Sequence, residues 1–175
     1  MRMRYRAIDT TDVEDLIRVR ISTDENSYSR EGLGALGITP ETVRGKLSST
    51  HKGWLCEADG RVVGFAIGDR SSGELWVIAV LPEHVNRGIG SRLLALVESW
   101  LRECGCRRLW LTTDIDTKLR AYSFYLGNGW RDDRIEHGLR YMVKDGGFPD
   151  QPCEGEPCPR AGGARRPAGG RPPFS

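Results

Sequence analysis

The sequence predicts a mixed α/β domain of six to seven strands and about four helices. Three observations carry this. Short extended apolar runs alternate with segments whose apolar residues recur at helical spacing. The dipeptides Asp59-Gly60 and His137-Gly138 stand between extended runs, the pattern of tight hairpins. Composition then changes sharply near Lys144: residues 146–175 hold seven glycines and seven prolines, and after Pro157 every charge is an arginine. Such a segment buries too little apolar surface to offset its ordering entropy. The domain is therefore expected to span 1–145, with 146–175 a disordered tail.

The elements follow in order. Residues 4–8 read as a first strand. Thr11 to Glu14 has the form of a capping box, and Val13, Leu16, Ile17 and Ile21 continue it as one helical face. A polar, glycine-rich loop is expected over 26–37. Thr39-Pro40 offers an N-cap followed by proline at the first helical position, with Val43 and Leu47 on one side. Three extended runs come next, near 53–58, 62–69 and 74–80. A helix over 90–103 buries Leu93, Leu94, Val97 and Leu101 and stops at Gly105. A strand over 108–112, a helix over 118–128 and two strands near 130–135 and 139–144 complete the domain.

Charge and composition narrow the partners. Net charge is +2 and acids and bases are interleaved through the domain, so there is no electrostatic case for nucleic acid. No apolar run approaches the ~18–20 residues that cross a membrane. The N-terminal Met1-Arg2-Met3-Arg4 carries charge with no apolar core behind it, so no signal peptide is expected. Cys56, Cys104, Cys106, Cys153 and Cys158 are odd in number and show no paired spacing. Reduced thiols in the cytoplasm are the expectation, with no metal site.

The segment with most chemical content runs from Glu74 to Leu94. An apolar strand ends at Pro82, a glycine-bearing loop follows, and an amphipathic helix starts inside the loop. This aims backbone N–H groups and a helix dipole at one point, which suits phosphate. A P-loop is excluded because no Lys-Ser or Lys-Thr pair opens the helix. A dinucleotide fingerprint lacks its third glycine, since Leu93 stands there. A tight corner with no ligand is the plain alternative.

The loop Val85-Asn86-Arg87-Gly88-Ile89-Gly90-Ser91, the strand ending at Pro82, the segment from Lys118 through Ala121 to Phe124-Tyr125, and Gly129-Trp130 together resemble the GNAT superfamily of N-acetyltransferases over residues 3–145. Val85 stands where the family has arginine or glutamine, and Lys118 where it has asparagine. The resemblance implies a mixed, largely antiparallel sheet and acetyl-CoA as co-substrate. It implies a diphosphate held by the backbone from Val85 to Ser91. It also implies pantetheine paired with Ile78, Ala79 and Val80, a contact at Lys118, and Tyr125 as the acid that protonates the departing thiolate. Glu74, six residues before Val80, has the spacing of a base in the histone-acetylating branch. Strand alternation would put Glu74, Trp76, Ile78 and Val80 on one face.

The acceptor segment is expected after the first helix, where Arg18, Arg20, Asp24, Glu25, Asn26, Tyr28 and Arg30 offer both signs of charge. The expected partner is a small-molecule amine, or else a protein amine, with room for a homodimer. The expected reaction is direct attack in a ternary complex. Two rivals stay open: a non-catalytic acyl-CoA-binding regulatory module, and a nucleic-acid-associated transferase that uses the arginines of the tail.

Overall fold

The computed structural model describes residues 1–23 and 28–146. Most of the expected tail, and Asp24, Glu25 and Asn26, lie outside the described residues. The elements are β1 (Met3–Ala7), α1 (Val13–Ile21), α2 (Arg30–Ala35), α3 (Pro40–Leu47), β2 (His51–Ala58), β3 (Arg61–Asp69) and β4 (Glu74–Val80). They continue as α4 (Ile89–Glu103), β5 (Arg108–Asp114), α5 (Arg120–Gly127), β6 (Arg131–Glu136) and β7 (Leu139–Asp145). The seven strands form one sheet in the order β1-β2-β3-β4-β5-β7-β6, antiparallel throughout except for β4 beside β5.

The expected hairpins form. Asp59 and Gly60 turn between β2 and β3 with φ of 48° and 81°, and His137 and Gly138 between β6 and β7 with 52° and 76°. Two successive left-handed residues match the right-handed twist of the flanking strands. Thr39 caps α3 as expected, its hydroxyl taking the Thr42 N–H at 3.3 Å while Thr42 Oγ1 takes that of Thr39 at 2.9 Å.

Three expectations about the helices are corrected. The cap before α1 is not the Thr11–Glu14 box. Asp9 takes the Thr11 N–H at 2.9 Å and Asp12 takes that of Asp9 at 2.7 Å, closing a 3₁₀ turn over Thr10–Asp12. Asp12 is held in place by both terminal nitrogens of Arg6, at 2.7 and 2.8 Å. Part of the expected polar loop is helix: Ser29 caps α2 through the Gly32 N–H, and Leu33 is fully buried. The 118–128 helix starts later, at Arg120. Asp114 and Asp116 side chains take the N–H groups of Asp116 and Lys118, each at 2.9 Å, and hold those residues in turns.

The core lies on both faces of the sheet. Leu93, Leu94, Val97 and Leu101 of α4 are all buried, as expected. Gly68 of β3 permits this approach, since a Cβ there would sit 2.6 Å from Val97 Cγ1. Leu16 and Ile17 of α1 and Val43 of α3 meet Phe65, Ile67 and Trp76 on the opposite face.

Two features of β4 set up the site. Its pairing with β5 consists of one residue pair, Glu74 with Trp110. It also carries a bulge: Val77 opposes Ile67 and Leu75 opposes Gly68, so Trp76 is an extra residue. Because directly opposed residues share a face, Glu74 lies with Val77 and Ala79, opposite Asp69, Ile67 and Phe65. The expected common face for Glu74, Trp76, Ile78 and Val80 is therefore not formed. One inserted residue inverts the alternation.

Candidate functional site

Beyond the Glu74–Trp110 pair, a cavity of about 560 Å³ lies between β4 and α5. Its walls come from four parts of the chain. The end of β4 gives Ile78, Ala79 and Val80. The loop and first turn of α4 give Pro82, His84, Val85, Asn86, Gly88, Gly90 and Ser91. Arg120, Ala121, Ser123, Phe124 and Tyr125 come from α5, and Arg20 and Thr23 from the end of α1.

The loop is shaped by backbone geometry. Pro82 opens a 3₁₀ turn through His84, and the left-handed residues Asn86 (φ 59°) and Gly88 (φ 75°) then swing the chain into α4. Asparagine and glycine are the residues that tolerate this conformation. Gly88 is the N-cap of α4. No side chain caps the helix, and no acid lies in its first turn. The N–H groups of that turn have no acceptors within the helix and carry the positive end of its dipole. A Cβ at Gly88 would meet nothing within 4 Å, and Gly88, Gly90 and Ser91 all border the cavity. Gly90 has a different constraint: a Cβ there would sit 3.2 Å from the Phe124 ring, so this glycine lets α5 lie against α4.

Most of the expected cofactor-side residues meet in this one place. Ile78, Ala79, Val80, Val85, Asn86, Gly88, Gly90, Ser91 and Tyr125 all line the cavity. Ile89 turns its side chain into the core at 1% exposure, and the exposed Arg87 side chain reaches toward Met1, 3.6 Å from its sulfur. These two reach the loop only through the backbone. Lys118 is exposed in the turn before α5 and is not on the wall. Glu74 also lies off the wall, at the paired end of β4 and β5.

Tyr125 is 2% exposed, its ring packed edgewise against Phe124 at 5.3 Å and Trp130 at 6.2 Å. Burial raises its pKa well above that of an ordinary phenol, with the charge of Arg20 pulling the other way. The phenol is protonated at neutral pH.

Arg20 itself is 3% exposed, and burial pulls its pKa down to about 10. Its Nη1 donates to Thr23 Oγ1 at 3.1 Å, and its guanidinium lies 5.5 Å from the centre of the Tyr28 ring. Sequence reasoning placed Arg20 in the acceptor segment but did not bring it to the cavity. The signal was present, because Arg20 falls three and four residues after Ile17 and Leu16, on the apolar face of α1. Thr23, His84, Arg120 and Ser123 were missed. They reach the wall through tertiary folding, which no local pattern encodes.

The chain matches the model of the acetyltransferase (GNAT) family over residues 19–130. Solved structures of similar shape include the PaiA N-acetyltransferase from Thermoplasma acidophilum in complex with coenzyme A. It is 23% identical with a TM-score of 0.72, over 83% of this chain and 99% of that one. The ribosomal-protein-S18-alanine N-acetyltransferase from Escherichia coli is 18% identical with a TM-score of 0.68, over 87% and 99%. The yncA protein from Salmonella typhimurium, with its cofactor acetyl-CoA, is 17% identical with a TM-score of 0.66, over 90% and 100%. With the family match covering well over half of its length, this chain belongs to the acetyltransferase (GNAT) family.

Proposed function

We propose that the protein transfers the acetyl group of acetyl-CoA to the primary amine of a small molecule, by direct attack within a ternary complex. The observation that carries this reading is the convergence on one cavity of three things: the uncapped start of α4, the end of β4 and the buried phenol of Tyr125. Two of the similar structures were captured with coenzyme A or acetyl-CoA, which supports the choice of co-substrate.

The diphosphate would rest on the N–H groups from Gly88 to Ser91. The pantetheine amides would pair with the backbone of Ile78 to Val80, which brings the thioester toward Tyr125. The amine nitrogen attacks the carbonyl carbon, the carbon–sulfur bond breaks, and the phenol of Tyr125 gives its proton to the leaving thiolate. The proton lost from nitrogen returns to the phenolate through water. Among the described residues, Arg20 and Arg120 line the cavity and no aspartate or glutamate does. A positive field there would favour a neutral, nucleophilic amine over an ammonium ion.

Release of free CoA thiol, followed with acetyl-CoA and a panel of amines, tests the reading. Tyr125→Phe is expected to lower kcat by ~10²–10⁴-fold, the usual contribution of a positioned acid, with the Kd for CoA nearly unchanged. CoA binding without turnover of any amine would favour a binding module instead. An unchanged kcat would remove Tyr125 as the acid.

A further inference from the structure

Among the described residues, β6 ends the sheet, and all six of its residues are exposed, Ile135 at 60%. An edge strand presents a row of backbone N–H and C=O groups with no neighbour to take them. Charged side chains and bulges are the usual means of keeping such an edge from pairing at random, and β6 has both. Its charges also have an order. Arg131-Asp132-Asp133-Arg134-Ile135-Glu136 sets opposite signs at matched distances from its centre, Arg131 against Glu136 and Asp133 against Arg134. The strand is therefore complementary to its own reversed copy.

Residues opposed across an antiparallel pair share a face. In a regular strand, residues 131 and 136 lie on opposite faces, and a two-fold pairing would never oppose them. β6 is not regular. Arg131 opposes Val143, Asp132 opposes Met142 and Arg134 opposes Tyr141, so Asp133 is an extra residue. Val143, Tyr141 and Leu139 alternate without interruption along β7, which puts Arg131, Arg134 and Glu136 on one face and Asp132 and Ile135 on the other. The Asp133 carboxylate joins the first face, accepting from Arg134 at 2.7 Å and from Arg108 at 2.6 Å. The bulge thus brings the charges that match in sign onto the same face.

We propose that β6 pairs antiparallel with β6 of a second copy of this chain, the two-fold axis passing between Asp133 and Arg134. Arg131 then opposes the partner's Glu136, Asp132 the partner's Ile135, and Asp133 the partner's Arg134, each pair on one face. A shift of one residue in either direction opposes residues from different faces. A shift of two sets Arg131 against the partner's Arg134 in one direction and Asp133 against the partner's Glu136 in the other. Only one register satisfies both face and charge. Within the chain Arg131 meets Asp145, and Arg134 meets Asp133 and Glu136, but exposed ion pairs are worth little and exchange readily. Asp132 keeps its own bonds, to Tyr122 and Arg140, each at 2.9 Å.

Sedimentation equilibrium of the full chain tests the pairing. A dimer with a Kd on the order of 10–100 µM is expected, the weak end of the scale for an interface built on one strand pair. Arg131→Glu and Glu136→Arg each set two like-charge pairs across the axis, and each should raise the Kd by about 10- to 100-fold. An equimolar mixture of these two variants should dimerise again with nearly the parent Kd, because each chain then meets the opposite charge at both positions. The chain carrying both changes is again complementary to itself and should behave like the parent. A role within one chain gives no rescue on mixing. Circular dichroism confirms that each variant is folded. A parent that stays monomeric at about 500 µM, well above the expected Kd, overturns the proposal. A dimer that neither change weakens, or single variants that stay apart when mixed, overturns it as well. The transferase reading stands in every case.

Discussion

Trp76 has no counterpart on β3, and that one insertion determines what Glu74 can reach. The carboxylate shares its face with Asp69, across from His51, and stands where β4 still pairs with β5 at Trp110. The cavity begins farther along the strand, at Ile78. A general base must stand within hydrogen-bond reach of the proton it takes, directly or through one water, and contributes ~10²–10⁴-fold when it does. Glu74→Gln is therefore expected to lower kcat by less than about tenfold, with the same pH profile as the parent. A loss above a hundredfold that deepens as pH falls would return Glu74 to the role of base.

At the scale of elements, Asp12 shows how a cap can depend on a distant strand. Its carboxylate closes the turn before α1 and takes two hydrogen bonds from Arg6 of β1, whose Nε reaches Glu57 of β2 at 2.9 Å. The bonds from Arg6 outweigh burial and hold the Asp12 carboxyl below the usual carboxylate range. A group depressed in this way stabilises the fold above its unfolded pKa, about 3.9. That contribution is lost as pH falls through the lower, folded value. Asp12→Asn should therefore cost about 1–3 kcal/mol at pH 7 and progressively less below about pH 4, read from urea midpoints at pH 7 and pH 3. An equal gap at both values would contradict the account. The same residue explains what the sequence left illegible. Local signals located α3, α4, both tight turns and the loop at Asn86 to Gly90, because dipeptide chemistry and apolar spacing act over a few residues. The true cap of α1, the late start of α5 and the inverted face of Glu74 depend on Arg6, on a pair of aspartate turns and on strand register. The first and third are tertiary choices, and the aspartate turns are local bonds that compete with a helical pattern the sequence allows equally.

At the scale of the molecule, the site exists because the sheet is closed at one end and parted at the other. The closed end is tightly built. The Trp110 N–H meets the Gly73 carbonyl at 3.1 Å and its indole Nε1 meets that of Ser72 at 3.0 Å, while a Cβ on Gly73 would sit 2.7 Å from the Arg108 carbonyl oxygen. Buried Glu98 of α4 fastens the second half, accepting from Trp130 Nε1 at 2.8 Å and from Lys144 Nζ at 2.7 Å. Trp130 in turn packs on Tyr125. The phenol thus belongs to the half fixed through Glu98, and Arg20 to the half built on β1 to β4. A ligand in the cavity bridges both. CoA at about a hundredfold over its Kd stabilises the native state by about 2.7 kcal/mol, yet its local effect should be uneven. Amide exchange is expected to slow at Ile78 to Val80, where pantetheine would take the place of the missing strand, and at Ile89 to Ser91, where the diphosphate would rest. The amides of β6, on the outer edge of the sheet, should change no more than global stability requires. Uniform slowing across all seven strands would mean that the ligand binds without completing β4, and the parted sheet would then have no role in holding it.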